Sequence, residues 1–414
     1  MSSSFDVLLA DRIRSSGIPP RSLPAGECQS PSSQRCRLCA AANLHYVDEV
    51  RIKNEVIREF WLHHQPGIPV DQLHPSPLGR GYRTVTKRKV VSNKKGARLG
   101  LIDPMEGGAG GMFNPVRCAI EPSEHAMIYG KIQESLEKPF AQPLAQHITY
   151  VVIKGSYQEF TLILNVRKIS TPLIRAANTL SKSLTHVTEK IVGVFVLEDP
   201  SGGRYYLGST EGKSRQVFRK IFGKGEIFQR VLGRNFLFSP RSFSQINQSL
   251  VGELVTTAGE LLCLNPGMVF YDLYCGYGLF ALCLAEKAGS VVGMELSTES
   301  VASAKANAER QRVSGVRFIR NDVTPESLGQ AMKPMRPDDA VLLDPPRGGT
   351  GDGVIETVAA KRPGRVAHLF CNIDLMPAEL RRWQSCGYRI ERAIPFDMFP
   401  GTSSMEFLVA LKPT

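Results

Sequence analysis

Along the chain the spacing of apolar positions changes near residue 240. Before it, apolar and polar residues mostly alternate in short runs, the period that places one set of side chains on each face of a sheet. "YRTVTKRKVVSNKKGARLGLID" (82–103) predicts two strands around a basic turn at Lys94, Lys95 and Gly96. "HITYVVIKGS" and "EFTLILNVRK" predict adjacent strands joined by a short polar turn. "SKSLTHVTEKIVGVFVLED" adds further α+β structure, and "EGGAGGMFNP" reads as a flexible connection. After residue 240, apolar strands alternate with helical patterns. "GMVFYDLYCG", "SVVGMEL", "VRFIRND", "AVLLDPPR" and "RVAHLFCN" predict strands, with helices at 298–311, about 352–362 and 376–386 between or after them. "IPFDMFPGTSSMEFLVAL" predicts a closing pair of strands. Strand–helix alternation implies an α/β fold with a doubly wound parallel sheet. The expected organisation is an α+β region over residues 1–240 and a Rossmann-like unit over 241–414.

Charge sharpens that division. The 414 residues carry a formal net charge of +12. Residues 1–240 hold 33 Lys/Arg against 20 Asp/Glu, whereas residues 241–414 hold 18 against 19. A basic region of this kind suits a polyanionic partner, RNA or DNA first. Arg80, Arg83, Lys87, Arg88, Lys89, Lys94, Lys95 and Arg98 form the densest cluster, with Tyr82 expected to stack on a base. Lys213, Arg215, Arg219, Lys220 and Lys224 form a second cluster. No apolar run reaches the roughly 20 residues that span a bilayer. Asp6 and Asp11 lie where a signal peptide would be basic or apolar. The expectation is a cytoplasmic protein, in which nine cysteines serve metal binding or catalysis rather than disulfides.

The second region concentrates acids at its strand ends. Asp272 precedes a turn holding Gly276 and Gly278, and glycines there let the backbone approach a nucleotide-like ligand. The spacing Gly276-x-Gly278-x-x-Ala281 alone also fits a dinucleotide fingerprint. Glu295, Asp322 and Asp344 end the next three strands. Four acids on one edge of an open sheet mark a ligand site: a carboxylate for ribose hydroxyls, a polar group for adenine, and space for a sulfonium.

Residues from about 240 resemble the S-adenosylmethionine-dependent RNA uracil-5-methyltransferases. The resemblance rests on "FSQIN" (243–247), "DLYCGYG" (272–278), "DPPRGG" (344–349), "CN" (371–372) and "MFPGTSSME" (398–406), in the family's order and spacing. It implies a class I methyltransferase domain with Cys371 as nucleophile and Glu406 as general base. It implies a cofactor site of Gln245, Asp272, Gly276, Gly278, Glu295 and Asp322, with Asp344 on the uracil side. The chemistry asks for such a pair. Carbon 5 of uracil becomes nucleophilic only after a thiolate adds at carbon 6, and a base must then take the carbon-5 proton. The chain departs from the family pattern at Phe370 (usually Ser), Ile373 (usually Pro) and Ser404 (usually His).

Cys28, Cys36 and Cys39 are spaced C-x7-C-x2-C, and 78 residues separate Cys39 from Cys118. Four such thiols suit zinc or a [4Fe–4S] cluster alike. One subgroup of the resembled family carries a structural [4Fe–4S] cluster with this layout. That resemblance implies a cluster domain and a 23S rRNA substrate, with tRNA the nearest alternative. Members of that subgroup often have an N-terminal β-barrel RNA-binding module, for which the 27 residues before Cys28 leave no room. Cys263, Cys275, Cys283 and Cys386 are expected to be packing residues. Two other readings stand beside this one. The first is an RNA-binding paralogue that has lost turnover, suggested by Phe370 and Ser404. The second is an amino-group methyltransferase using the Asp-Pro-Pro turn, which places Arg347 where an aromatic residue is expected and leaves Cys371 and Glu406 without roles.

Overall fold

The computed structural model describes residues 4–28, 36, 38–93, 96–102, 112–113, 115–202, 216–332 and 335–414. Lys94, Lys95, Lys213 and Arg215 of the two basic clusters lie outside the described residues. The chain opens with helices α1 (Phe5–Ser15) and α2 (Tyr46–His64). On α2 a buried stripe recurs at helical spacing: Glu49, Ile52, Lys53, Val56, Ile57, Phe60 and Trp61. Two of those seven are charged, a feature taken up below.

A seven-stranded sheet follows: β1 (Val85–Asn93), β2 (Gly96–Ile102), β3 (Met112–Phe113), β4 (Ile148–Gly155), β5 (Phe160–Val166), β6 (Ile191–Glu198) and β7 (Val217–Gly223). Their order is β3-β2-β1-β4-β5-β6-β7. The β1–β2 hairpin and the β4–β5 pair have the antiparallel pairing expected from their alternation. Helices α3 (Ser123–Leu136) and α4 (Thr171–Leu184) cover one face. The hairpin β8 (Ile227–Val231)–β9 (Arg234–Phe238) leads into α5 (Gln248–Leu262).

The second sheet comprises β10 (Val269–Leu273), β11 (Ser290–Glu295), β12 (Val316–Arg320), β13 (Ala340–Leu343), β14 (Arg365–Phe370), β15 (Tyr388–Phe396) and β16 (Glu406–Pro413), in the order β12-β11-β10-β13-β14-β16-β15. Pairing is parallel from β12 to β14 and antiparallel through β16 and β15. One face packs on α5, the β8–β9 hairpin and α6 (Leu279–Leu284). On the other face, Phe5, Leu9, Ile52, Phe60 and Trp61 share one apolar cluster with Tyr271, Val341, Trp383 and Phe407. The first two helices are thus built into the core of the second sheet.

Two expectations about the basic cluster are corrected. Tyr82 is fully buried and its hydroxyl donates to Pro400 O at 3.0 Å. Its phenol is core, not a stacking platform. Arg88 is buried in a two-bonded pair with Glu121, and Arg80 is bonded to Glu49 at 2.8 Å. These guanidiniums hold the protein together. Lys87, Arg219 and Lys220 are exposed. Among the described residues no helix is long and apolar enough to cross a membrane.

Candidate active site

The acids predicted at strand ends lie at the C-terminal edge of β10–β13. Asp272 is fully buried; its Oδ2 accepts from Ala281 N at 2.9 Å and its Oδ1 has no partner. Burial, then nearby Asp344 and Glu295, holds its carboxyl well above the usual carboxylate range despite the bond from Ala281 N. Glu295 accepts from Gly276 N at 3.1 Å and Ser297 N at 2.7 Å, which fixes its carboxylate beside the turn. Gly276 and Gly278 have φ of +54° and +86°, and a side chain on Gly278 would press on Phe318 and Ala304 at 3.0 and 3.2 Å. Asp322 is exposed beyond β12 and its carboxylate accepts from Val323 N at 2.8 Å. Gln245, buried ahead of α5, reaches Asp344 Oδ2 at 3.5 Å.

A second group forms where β14 meets β16. Their antiparallel register pairs Leu369 with Leu408 and Phe370 with Phe407. The ladder ends there; one further step of the same register puts Cys371, just past β14, across from Glu406, and facing residues of an antiparallel pair point to the same side of the sheet. Sequence spacing of 35 residues could not show this; the register does. Cys371 is half-buried and its thiol lies 3.8 Å from Pro345 O. Burial, then Glu406 and Asp344, pushes that thiol up to about 12, against the opposing pull of Arg347. Glu406 is buried with Oε2 unpartnered. Burial and Asp344 hold its carboxyl well above the ordinary range, again opposed by Arg347. Asp344 is pushed up to about 7, first by burial and then by Glu295, while Gln245 draws it back. Arg347, exposed and 5.8 Å from the Phe399 ring, is the cation common to nucleophile and base. The sequence reading gave it no part in the site, although its place directly after the Asp-Pro-Pro turn was a usable signal.

The departures at Phe370, Ile373 and Ser404 have local reasons. Strand alternation turns Phe370 into the core, where its ring stacks on His368 at 4.0 Å. Ile373 is buried in the same cluster. Ser404 N donates to Thr402 Oγ1 at 3.1 Å within the turn before Glu406.

This edge, with acids on one side and a thiol facing a carboxyl on the other, is where the chain meets known proteins. Residues 224–414 match the tRNA (uracil-5-)-methyltransferase family model. Likeness to RNA methyltransferases runs further along the chain. A protein of Clostridium tetani described as an uncharacterized RNA methyltransferase is 25% identical over 391 residues, 93% of this chain and 84% of that one. Another, from Oceanobacillus iheyensis, is 32% identical over 203 residues, 48% of this chain and 43% of that one. In fold the chain is similar to the crystal structure of Pyrococcus abyssi tRNA (uracil-54, C5)-methyltransferase in complex with S-adenosyl-L-homocysteine. The TM-score is 0.67 at 20% identity, covering 90% of this chain and 85% of that one. The likenesses thus set residues 224–414 beside the tRNA (uracil-5-)-methyltransferase family model and most of the chain beside proteins described as RNA methyltransferases.

The four N-terminal cysteines stand apart from this edge. Cys28 N donates to Arg117 O at 2.8 Å, which stitches the first cysteine to the residue before Cys118. Burial and the neighbouring thiols of Cys36 and Cys28 push Cys39 up to about 12, and burial, then Glu121 and Cys39, raise Cys118. Cys39 is therefore within electrostatic reach of the other three thiols. Among the described residues, no three His, Cys, Asp or Glu side chains are arranged as ligands of one metal ion.

Proposed function

We propose that this protein transfers a methyl group from S-adenosylmethionine to carbon 5 of a uridine in RNA, through a covalent adduct on Cys371. The facing positions of Cys371 and Glu406, with Asp344 and Arg347 acting on both, carry the reading. The donor site would comprise Gln245, Asp272, Gly276, Gly278, Glu295 and Asp322. Glu295 suits the ribose hydroxyls, and the unpartnered buried oxygen of Asp272 asks for a donor that no protein group supplies. Bound S-adenosylmethionine contributes an electrophilic methyl on a sulfonium. Arg347 and that positive charge favour loss of the Cys371 proton to water and ionisation of Glu406, which leaves a thiolate to attack and a carboxylate to accept the later proton. The Cys371 sulfur then bonds to carbon 6 of uracil, sending the ring's electron pair to the carbonyl oxygen as an enolate. Carbon 5 takes the methyl group, leaving S-adenosylhomocysteine. Glu406 removes the carbon-5 proton, and that bonding pair restores the double bond and expels the Cys371 sulfur.

Cys28, Cys36, Cys39 and Cys118 would hold a [4Fe–4S] cluster, with zinc the alternative. Four thiolates are the donor chemistry that both take, and Cys39 lies within electrostatic reach of the other three thiols. Its contribution would be to cross-link the N-terminal segments, outside the methyl-transfer steps. Residues 1–240 would bind RNA in the cytoplasm through their excess of 13 positive charges. We place the target uridine in 23S rRNA. A tRNA target is the second reading, favoured by the name of the matched family and of the Pyrococcus abyssi neighbour.

The test is transfer of labelled methyl from S-adenosylmethionine to 23S rRNA and tRNA transcripts, followed by digestion to nucleosides. Label in 5-methyluridine is expected, and the transcript that carries it decides between the two RNAs. Label in a methylated base other than uracil would overturn the reading.

A further inference from the structure

The loop 397–405 ends at Glu406, the first residue of β16, and begins directly after β15. Residues from the first 120 positions of the chain grip it. Lys53 on α2 is fully buried and bonds Asp397 Oδ1 at 2.8 Å and Glu49 Oε1 at 2.7 Å. Glu49 Oε1 also accepts from Gly401 N at 2.5 Å, and Glu49 Oε2 from Arg80 at 2.8 Å. Tyr46 donates its hydroxyl to the other oxygen of Asp397 at 3.0 Å. Two carboxylates and two cations thus balance, and every carboxylate oxygen has a partner.

Burying such a cluster is expensive, and apolar side chains of similar volume often stabilise a fold as well or better. What ions supply that apolar groups do not is fixed direction. Here the direction is spent on one loop. Ala41 N donates to Gly401 O at 2.9 Å, and a side chain on Gly401, at φ +83°, would press on Ala42 and Ile120 at 3.2 Å. The same network reaches the donor side: Ser76 N donates to Tyr46 Oη at 2.6 Å, and Ser76 Oγ accepts from Asn247, two residues after Gln245.

We propose that Glu49, Lys53 and Asp397, with Tyr46, are positioning residues that hold the 397–405 loop so that Glu406 meets the carbon-5 proton. The proposal rests on the covalent reading above. It predicts a defect in elimination rather than in adduct formation: methylated enzyme–RNA complex should build up because proton removal is slowed.

The experiment uses the full-length protein with S-adenosylmethionine and an RNA substrate of ordinary uridine, comparing wild type, Lys53→Met and Tyr46→Phe. Turnover is read beside the amount of RNA attached to Cys371 on denaturing gels. Lys53→Met should lose about 10–100-fold in turnover, the scale of a small misplacement of a reacting group, while attached RNA rises above wild type. Tyr46→Phe should shift both in the same directions by a few-fold, and carries the test alone if Lys53→Met does not fold. Wild-type turnover in both variants, or equal loss of turnover and adduct formation, would overturn the positioning role. Absence of any wild-type adduct on 5-fluorouridine RNA would instead overturn the covalent reading, and the positioning role with it.

Discussion

Among the described residues, two seven-stranded sheets treat charge in different ways. In the first, β5–β6 is the parallel pair among antiparallel neighbours, and its buried cations Arg88 and Lys154 have oxygen acceptors. Arg88 meets Glu121 and the Lys154 ammonium donates to Ser242 O. In the second, the strand ends hold carboxyls that are buried close to one another with oxygens unpartnered, at Asp272 and Glu406. A fold gains nothing in stability from such groups. Their concentration on one edge of one sheet marks where ligands complete the structure, whereas in the first sheet the buried cations Arg88 and Lys154 are met by oxygens of the protein itself.

The sharpest way to break this contrast is at the nucleophile. Cys371→Ala should lose at least about a thousandfold in methyl transfer, since no neighbour can replace an attacking thiolate. Its melting temperature should stay close to wild type. Retained transfer would place the chemistry elsewhere. Next in size is the donor side: Glu295→Ala should weaken S-adenosylmethionine about tenfold or more by calorimetry, through loss of hydrogen bonds made by a charged group, with RNA affinity unchanged.

Asp344 tests the electrostatic half of the comparison. An unfolded aspartate titrates at about 3.9, whereas the folded carboxyl titrates at about 7. Between those values the folded chain keeps a proton that the unfolded chain has lost. The stability contributed by this group is therefore full below about pH 4 and is lost as pH rises through about 7. Asp344→Asn should melt several degrees above wild type at pH 8, and the gap should close toward pH 4. A gap that does not change with pH would refute the assignment. The smallest effect is expected on the first sheet. Lys87→Ala with Lys89→Ala should weaken RNA binding by a few-fold and flatten its salt dependence by about one to two contacts, with no preference among sequences.

How much of this was legible depended on distance along the chain. The parallel sheet, its helices and the acidic strand ends follow from local periodicity, and strands β10 to β14 and β16 run where the pattern placed them, whereas β15 starts at Tyr388, ahead of the predicted stretch that opens at Ile394. The helices α1 and α2 were not legible as part of that core, because their partners lie hundreds of residues away. Lys53 and Asp397, 344 positions apart, look like ordinary surface charges until the fold brings them together. Tyr82 misled for the same reason: an aromatic among basic residues fits a stacking role, yet its hydroxyl is held by Pro400. Cys371 and Glu406 could be named from motifs, but their facing positions come from the β14–β16 register alone.

The most direct test of the central claim is to mix the purified protein with S-adenosylmethionine and RNA transcribed with 5-fluorouridine, then digest and analyse by mass spectrometry. Fluorine at carbon 5 cannot leave as a proton, so Glu406 has nothing to remove and elimination stops. The account predicts a methylated fluorouridine nucleotide attached to Cys371. Methyl transfer to ordinary RNA with no attached nucleotide on the fluorinated substrate would contradict it.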